Sequence, residues 1–280
     1  MTEYEGPIRI GAFFVMLVVM GLWERAAPRR ALRESKPARW LSNIGLLVIN
    51  SLAVRLGFAM GLIGISLEAQ KQHWGIFNLI SLPEWLEVAL AVLSLDLAIY
   101  VQHVLFHAVP LLWRLHMVHH ADPDFDVTTG LRFHTLEIAL SLGIKGAAII
   151  LLGASPLAVL LFEVLLNVTS MFSHSNVRMP TWLDSLLRLV VVTPDMHRVH
   201  HSVVPAETNS NFGFNLPWWD YLLRTYRPQP QEGHQGMEIG VAQIPPRRAI
   251  WLHWLIVLPF VGKGGAADAD AHGPDQPGSR

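Results

Sequence analysis

Four stretches of the chain are apolar over lengths that suit membrane-spanning helices. They are residues 10–23, 40–67, 88–109 and 136–174. A helix needs about 20 apolar residues to cross the ~30 Å hydrocarbon core of a bilayer. The last stretch is long enough for two spans, because Ser155-Pro156 predicts a turn in which Ser caps and Pro opens the next helix. The pattern predicts an all-α, multi-pass membrane helical bundle of about four spans.

Basic residues in the loops predict the orientation of these spans. Residues 24–39 contain six Lys or Arg side chains, whereas residues 68–87 contain only Lys71. Positive charge concentrates in cytoplasmic loops, so we expect the first loop in the cytoplasm. Alternating the remaining spans places residues 110–135 and everything after His174 on the same side. We therefore expect a cell (inner) membrane protein whose histidine-rich segments lie at the cytoplasmic face.

Composition narrows the classes of function. Hydrophobic residues are 51% of the 280 residues and charged residues 15%, and the mean hydropathy is +0.35, which disfavours an ordinary soluble enzyme. The formal net charge of −1 leaves no basic surface for a nucleic-acid partner. The absence of cysteine removes disulfides, thiolate zinc sites, iron–sulfur clusters and Cys nucleophiles. Any metal site must use nitrogen or oxygen ligands.

Histidines supply the candidate nitrogen ligands. Ten of the 14 histidines lie between positions 103 and 201. His103 and His107 are four residues apart, and a His-x-x-His-His pattern occurs at 116–120 and again at 197–201. Residues three and four apart share a helix face, so each pattern gathers imidazoles. The candidate metal ligands are His103, His107, His116, His119, His120, His134, His174, His197, His200 and His201.

This set of ligands predicts the kind of metal site. Neutral imidazoles without thiolates suit iron, copper, zinc or nickel. Ten histidines exceed what a single ion can coordinate, so we expect two ions to share them. The alternative is that the histidines are solvated or satisfied within the core. We prefer that alternative for the isolated histidines, which are His73, His234, His253 and His272.

Five further polar side chains are candidates for orienting the ligand rings. Carboxylate and amide oxygens can accept an imidazole N–H and so select the tautomer of the ring. Helix capping or hydrogen bonding between helices explains such residues equally well. The candidates are Asp96, Glu137, Glu163, Asn167 and Asp195.

The order of the histidine motifs resembles the fatty acid hydroxylase and sterol desaturase superfamily of membrane-bound di-iron oxygenases. The resemblance covers most of residues 85–227. The matching segments are 103–107, 116–120, 129–137, 173–176, 193–202, 208–213 and 218–220. Thr135 stands where members of the family commonly have Pro, and this departure leaves the ligand set intact.

The resemblance implies an O₂-dependent lipid hydroxylase, an oxidoreductase with no catalytic residue beyond its metal ligands. It implies two iron ions, with zinc as a replacement that imidazole sites also accept, and O₂ as co-substrate. We expect a fatty-acyl, sterol-like or other apolar lipid to reach the metals laterally, past an apolar pocket wall. Because no cytochrome b5-like haem domain precedes the core, we also expect a separate electron-donor protein, such as a reductase, ferredoxin or cytochrome.

Three alternatives remain open. The same metal site supports desaturation or another lipid oxidation. A non-catalytic electron carrier that binds haem would place single histidines well inside opposing spans. A metal transporter or metal-binding protein would have ionisable groups along an ion path across the bilayer. Arg55 and Lys145 argue against such a path, because their positive charges would repel a metal cation.

The pattern divides the chain into four segments. Residues 1–83 hold the N-terminal membrane spans and the basic cytoplasmic loop. Residues 84–227 form the hydroxylase-like catalytic core with a cytoplasmic, histidine-rich helical cap. Residues 228–261 form a C-terminal segment, whose apolar end is too short to cross easily and is predicted to be an interfacial helix. Residues 262–280, rich in Gly, Ala, Asp and Pro, are predicted to be disordered.

Overall fold

A computed structural model describes residues 2–261 of the chain, and within them the regular structure is helical. Short 3-10 turns occur at Ile76–Asn78 and Thr129–Leu131. The helices are α1 (Thr2–Ala26), α2 (Lys36–Gly57), α3 (Leu62–Lys71), α4 (Glu84–Ala108), α5 (Pro110–His120), α6 (Thr135–Leu152), α7 (Pro156–Ser173), α8 (Thr181–Leu187), α9 (Pro194–His200), α10 (Pro205–Thr208), α11 (Trp218–Leu222), α12 (Gly233–Gly236), α13 (Pro246–Ala249) and α14 (Leu252–Val261). The predicted all-α class is confirmed.

Five helical segments of the described chain are long and apolar enough to cross a membrane. They are Tyr4–Ala26, Lys36–Asn78, Glu84–Ala108, Thr135–Leu152 and Pro156–Ser173. The multi-pass architecture is confirmed, with five candidate spans where about four were predicted. The second segment combines α2 and α3, which are separated by a break at residues 58–61.

The turn between α6 and α7 forms where the sequence predicted it. Gly153 adopts φ +70° at the end of α6, a left-handed conformation that glycine tolerates best. The hydroxyl of Ser155 accepts a hydrogen bond from the backbone N–H of Ala158, and Pro156 is the first residue of α7. Residues 136–174 therefore form two antiparallel helices. The end of α7 lies at the same end of the bundle as the start of α6.

The packing of the long helices brings the histidines together. Helix α4 packs against α5, α6 and α7, and α1 packs against α7. Between them lies a core of buried apolar side chains that includes Leu95, Ile99, Ile149, Val159 and Phe162. The last turn of α4 and the end of α7 therefore lie at the same end of the bundle, with His107 on α4 and His174 directly after α7.

A buried ionic network joins the start of α2 to the segment that follows α5. Arg39 lies 2.6 Å from an oxygen of Asp122 and 2.6 Å from an oxygen of Asp126, and all three side chains are fully buried. Burial alone raises the pKa of Asp122, but the attraction of Arg39 and Arg132 prevails and lowers it to about 2. The basic first loop is thus tied directly to the histidine-bearing end of the bundle.

The C-terminal helix α14 packs on α5 and α2, burying Leu255 and Leu258. Its ten residues are apolar but shorter than the candidate spans. An interfacial position for this helix remains a prediction. The tail predicted to be disordered, residues 262–280, lies outside the described residues.

Candidate metal centre

Nine of the ten candidate ligands converge in two buried groups, and within each group the ligand nitrogens all lie within 4.8 Å of one another. The first group is His103, His107, His116, His120 and His200, and the second is His119, His174, His197 and His201. Two such groups fit the expectation that two ions share the histidines.

Each His-x-x-His-His pattern contributes to both groups. In α5, His116 and His120 belong to the first group and His119 to the second. In the pattern that begins in α9, His197 and His201 belong to the second group and His200 to the first. Residues four apart are separated by about 40° around a helix, whereas adjacent residues are separated by about 100°. The spacing therefore directs the first and last rings of the pattern toward one metal site and the middle ring toward the other site.

In the first group, neutral imidazole lone pairs face each other. Nδ1 of His103 lies 2.7 Å from the carbonyl oxygen of Phe212, and Nδ1 of His200 lies 2.7 Å from that of Ser210. A carbonyl only accepts, so each Nδ1 carries a proton and each neutral ring keeps its lone pair on Nε2. The two Nε2 atoms lie 2.9 Å apart. Two lone pairs cannot hydrogen bond to each other, so this arrangement suits a bound cation.

The second group repeats this arrangement. Nδ1 of His174 donates to the carbonyl of Ser170 at 2.6 Å, and Nδ1 of His119 donates to that of Arg132 at 3.2 Å. Their Nε2 atoms lie 3.0 Å apart, and Nε2 of His197 also lies 3.0 Å from that of His174. The lone pairs again converge where a cation would bind.

Low pKa values keep these imidazole rings in the neutral form. Burial, and then the neighbouring histidines, lower the pKa of His200 and of His119 well below the usual value. Burial also lowers the pKa of His174 to about 4 and that of His116 to about 3. Neutral imidazole is the form that binds metal. Both ring nitrogens of His201 are buried and have no hydrogen-bond partner within residues 4–261, which a metal ligand would explain. The residues therefore fit a metal site.

One of the five predicted orienting residues contacts a ligand ring. Oε1 of Glu137, in the first turn of α6, lies 2.6 Å from Nδ1 of His116. The carboxylate can accept the Nδ1–H and leave Nε2 of His116 free to bind a metal. That Nε2 atom lies 3.1 Å from Nε2 of His103.

The structure places the other four candidates on different partners. Asp96 accepts a hydrogen bond from the indole of Trp219 at 2.8 Å. The amide of Asn167 donates to the backbone carbonyl of Glu163, one turn earlier in α7. The side chain of Glu163 pairs with Arg9 and Lys145, and that of Asp195 pairs with Arg29 and Arg198.

His134 lies outside both groups. It is the N-cap of α6, where its Nδ1 accepts a hydrogen bond from the backbone N–H of Leu136 at 3.2 Å. Its Nε2 lies 3.2 Å from the carbonyl oxygen of Ile256 in α14. The structure therefore gives His134 a capping position rather than a place among the converging nitrogens.

The carbonyl groups that orient the rings were not identified from the sequence. The carbonyls of Ser210 and Phe212 belong to a loop that Asp220 holds by accepting the backbone N–H groups of Phe212 and Gly213, both at 2.8 Å. A Cβ on Gly213 would lie 2.8 Å from Oδ2 of Asp220, so this close approach requires glycine. The Asn-rich motif at 208–213 was the available signal, but backbone contacts leave no residue-type pattern.

A cavity of about 430 Å³ adjoins the first group, and His103 and His116 form part of its wall. Apolar side chains of the helices, such as Ile99 and Phe106, form much of this wall as expected, but the wall is not purely apolar. Polar and charged side chains from α2, α4, α6 and α7 are interleaved with the apolar ones, because these helices turn polar positions toward the interior of the bundle. They include Gln102, Arg55, Ser141, Lys145, Glu163 and Asn167.

Nine buried imidazoles at one end of a multi-pass helical bundle define a membrane metalloprotein of the histidine-rich type. The model of the fatty acid hydroxylase family matches residues 88–225, and the chain belongs to this family. This confirms the predicted superfamily.

Named relatives agree with this assignment. The chain is 29% identical to the ornithine lipid hydroxylase of Rhizobium tropici over 80% of its own length and 68% of the relative. It is 25% identical to alkylglycerol monooxygenase of Xenopus tropicalis, over 69% of this chain and 43% of the relative. It is 33% identical to human cholesterol 25-hydroxylase, over 50% of this chain and 51% of the relative. No solved structure matches the chain significantly.

Hydroxylases and monooxygenases are oxidoreductases, so these relatives confirm the predicted enzyme class at the level of the family. The chain spans about half the length of alkylglycerol monooxygenase and of cholesterol 25-hydroxylase, and about two thirds of that of the ornithine lipid hydroxylase.

Proposed function

We propose that this chain is a membrane-bound di-iron oxygenase that hydroxylates a C–H bond of a lipid. The observation that carries the proposal is the convergence of two groups of buried, neutral imidazoles next to a cavity. If each ion takes about six ligands, the five nitrogens of one group would leave one position open and the four of the other group would leave two, for O₂, water or a carboxylate.

The reaction balances with an external reductant. R–H, O₂, two electrons and two protons give R–OH and water. Iron supplies the activation of O₂ when bound, which no side chain of this cysteine-free protein can supply. The electrons come from a separate donor protein, which is a reductase, ferredoxin or cytochrome.

The residues of the chain hold and orient the metals. The nine histidines of the two groups are the proposed ligands, and Glu137 holds the Nδ1 proton of His116 so that Nε2 can bind. The carbonyls of Phe212 and Ser210 do the same for His103 and His200. Because these rings are buried, the ligand nitrogens themselves are shielded from bulk water.

The substrate is a lipid. The names of the relatives refer to ornithine lipid, alkylglycerol and cholesterol, which are all lipids. The cavity touches His103 and His116 and none of the histidines of the second group. We therefore assign the first group to the side that faces the substrate.

The metal site lies at the cytoplasmic face. The basic loop of residues 24–39 contacts the histidine-bearing segments at several points, since Arg39 pairs with Asp122 and Arg29 pairs with Asp195. A loop rich in positive charge is retained in the cytoplasm, and the histidine clusters share its side of the membrane.

Product analysis with labelled oxygen tests this function. The purified protein, loaded with iron, is incubated with a reductase system, a total lipid extract and ¹⁸O₂. We expect one ¹⁸O atom in a hydroxylated lipid, loss of this product in His200→Ala, and its retention in His73→Ala. Label from H₂¹⁸O, or turnover without O₂, would overturn the oxygenase assignment. An O₂-dependent product with a new double bond and no label would identify a desaturase on the same metal site.

A further inference from the structure

One end of the cavity beside the first histidine group carries more positive charge than the carboxylates there neutralise. At the end away from the histidines, its wall contains Arg9, Arg55, Lys145 and Glu163. Glu163 and Glu5, which pairs with Arg9 at 3.1 Å, offset two of these three cations and leave a formal charge of 3 − 2 = +1. The other carboxylate of the wall, Glu137, lies at the opposite end against His116. Lys145 lies near the middle of α6, and Glu163 lies near the middle of α7. A charged side chain without a partner at such a position in a membrane is energetically costly.

Ion pairing inside the chain accounts for only part of this charge. Glu163 binds Lys145 through Oε1 at 3.0 Å and Arg9 through Oε2 at 2.9 Å, so both of its oxygens are engaged. No carboxylate of the described residues pairs with Arg55, although its side chain reaches the cavity. The guanidinium of Arg55 has five N–H donors, and the ammonium of Lys145 has three, of which one is directed to Glu163.

Helix α6 gives the spacing between the histidine end of the cavity and Lys145. Glu137, Ser141 and Lys145 recur every four residues on one face of α6, and all three line the cavity. Glu137 contacts His116, whereas Lys145 is two turns farther along, about 12 Å at 1.5 Å per residue. Arg55 and its neighbour Ser51 are exposed as well as lining the cavity, so the cavity opens beside α2.

We propose that the lipid substrate is an amphiphile with an anionic head, a carboxylate or a phosphate, which Arg55 and Lys145 bind in this cavity. This inference rests on the proposed function for the identity of the reaction. It places the anionic head about 12 Å along α6 from the histidine end of the cavity. Ser141, Gln102 and Asn167 supply further hydrogen-bonding groups along the way.

Direct binding tests the anion site without relying on turnover. The full chain in lipid nanodiscs is titrated at pH 8 with oleate, oleyl phosphate and methyl oleate, and empty nanodiscs give the background. We expect at least tenfold tighter binding of oleate or oleyl phosphate than of methyl oleate, and the tighter of the two anions identifies the head. Equal binding of all three probes overturns the inference.

Variants locate the site. Arg55→Gln is expected to weaken binding of the preferred anion at least tenfold and to leave methyl oleate unchanged, because charge-assisted hydrogen bonds are lost only for the anion. Arg247→Gln, an exposed cation outside the cavity, is the matched control and should change neither. Equal weakening of the anion by both variants would overturn the assignment of the site to the cavity.

A change of opposite sign completes the test. Glu163→Gln removes the competing carboxylate and should tighten binding of the anion, provided that its melting curve shows a folded protein. Should this variant not fold, the comparison of Arg55→Gln with Arg247→Gln decides alone. Selective anion binding without ¹⁸O incorporation would remove the proposed function and keep the site. Incorporation of ¹⁸O without anion selectivity would keep the proposed function and overturn the anion site.

Discussion

Oε1 of Glu137 lies 2.6 Å from Nδ1 of His116, with the carboxylate on α6 and the ring on α5. Both side chains are almost fully buried. This contact links a helix that lines the cavity to a ligand of the first group. A substitution of Glu137 should therefore change the affinity of this group for metal.

We therefore expect Glu137→Ala to lower metal affinity or activity about 10–100-fold, the usual cost of removing a partner that orients a metal-binding histidine. Glu137→Gln keeps an oxygen that can accept the Nδ1–H and should retain much more of the affinity. Iron content measured during titration with a chelator checks both variants. Glu68→Ala, in an exposed ion pair on α3, is the control. Equal iron loss from Glu137→Ala and Glu68→Ala would contradict this role.

His134 provides a test of which histidines bind metal. His134→Ala should leave the iron content unchanged and lower the free energy of unfolding by about 1 kcal/mol, because it removes an N-cap. His134→Asn restores a capping side chain and should recover that loss. His119→Ala, by contrast, should lose metal. Metal analysis and thermal melting of the same preparations check these outcomes, and iron loss in His134→Asn would make His134 a ligand after all.

Removal of metal should destabilise the protein. Without a cation, the Nε2 lone pairs of His103 and His200 face each other at 2.9 Å, and other buried ring nitrogens lose their partner. A ligand at 100 times its Kd stabilises the folded state by about 2.7 kcal/mol. We expect a chelator to lower the melting temperature and Fe²⁺ to restore it. An unchanged melting temperature, with metal loss confirmed by analysis, would argue against a site built around ions.

The ion pair between Arg39 and Asp122 is expected to be important for folding of the histidine-bearing end of the bundle. Asp122→Asn leaves the buried guanidinium of Arg39 with less compensation, a change that typically costs about 3–5 kcal/mol. Glu238→Gln is the control, because its contact with Arg33 is long and exposed. Denaturation followed by tryptophan fluorescence compares the two variants. Equal stability of the two variants would show that the network is dispensable.

The cysteine-free sequence allows a clean test of orientation. A single cysteine introduced as Arg33→Cys, in the basic first loop, should react with a membrane-impermeant thiol reagent only after the cells are opened. Gln72→Cys, directly after α3 and in the loop of residues 68–87 that the sequence predicts on the opposite side, should react in intact cells. Both positions are exposed. The reverse labelling pattern would place the metal site on the other face of the membrane.

Local periodicity explains which features could be predicted from the sequence. Hydropathy over about 20 residues depends on the chain alone, so the helical class, the positions of most spans and the Ser155-Pro156 turn follow from it. The spacing of His116, His119 and His120 is likewise local, since an angle of about 100° per residue fixes their relative directions on a helix. Family membership could be predicted for the same reason, because its motifs are short and lie close together along the chain.

Tertiary packing decided how these parts combine. His103 and His200 are 97 residues apart, and only the packing of α4 against its neighbours and the position of α9 make their nitrogens meet. The same packing excludes His134 from the two groups. It also turns Lys145 toward a cavity that the hydropathy of the helices had suggested would be apolar. Sequence spacing determines directions within one helix, whereas distances between helices depend on how their surfaces pack. The ligand types were therefore set by the sequence, whereas their number and their division between two sites were decided by the fold.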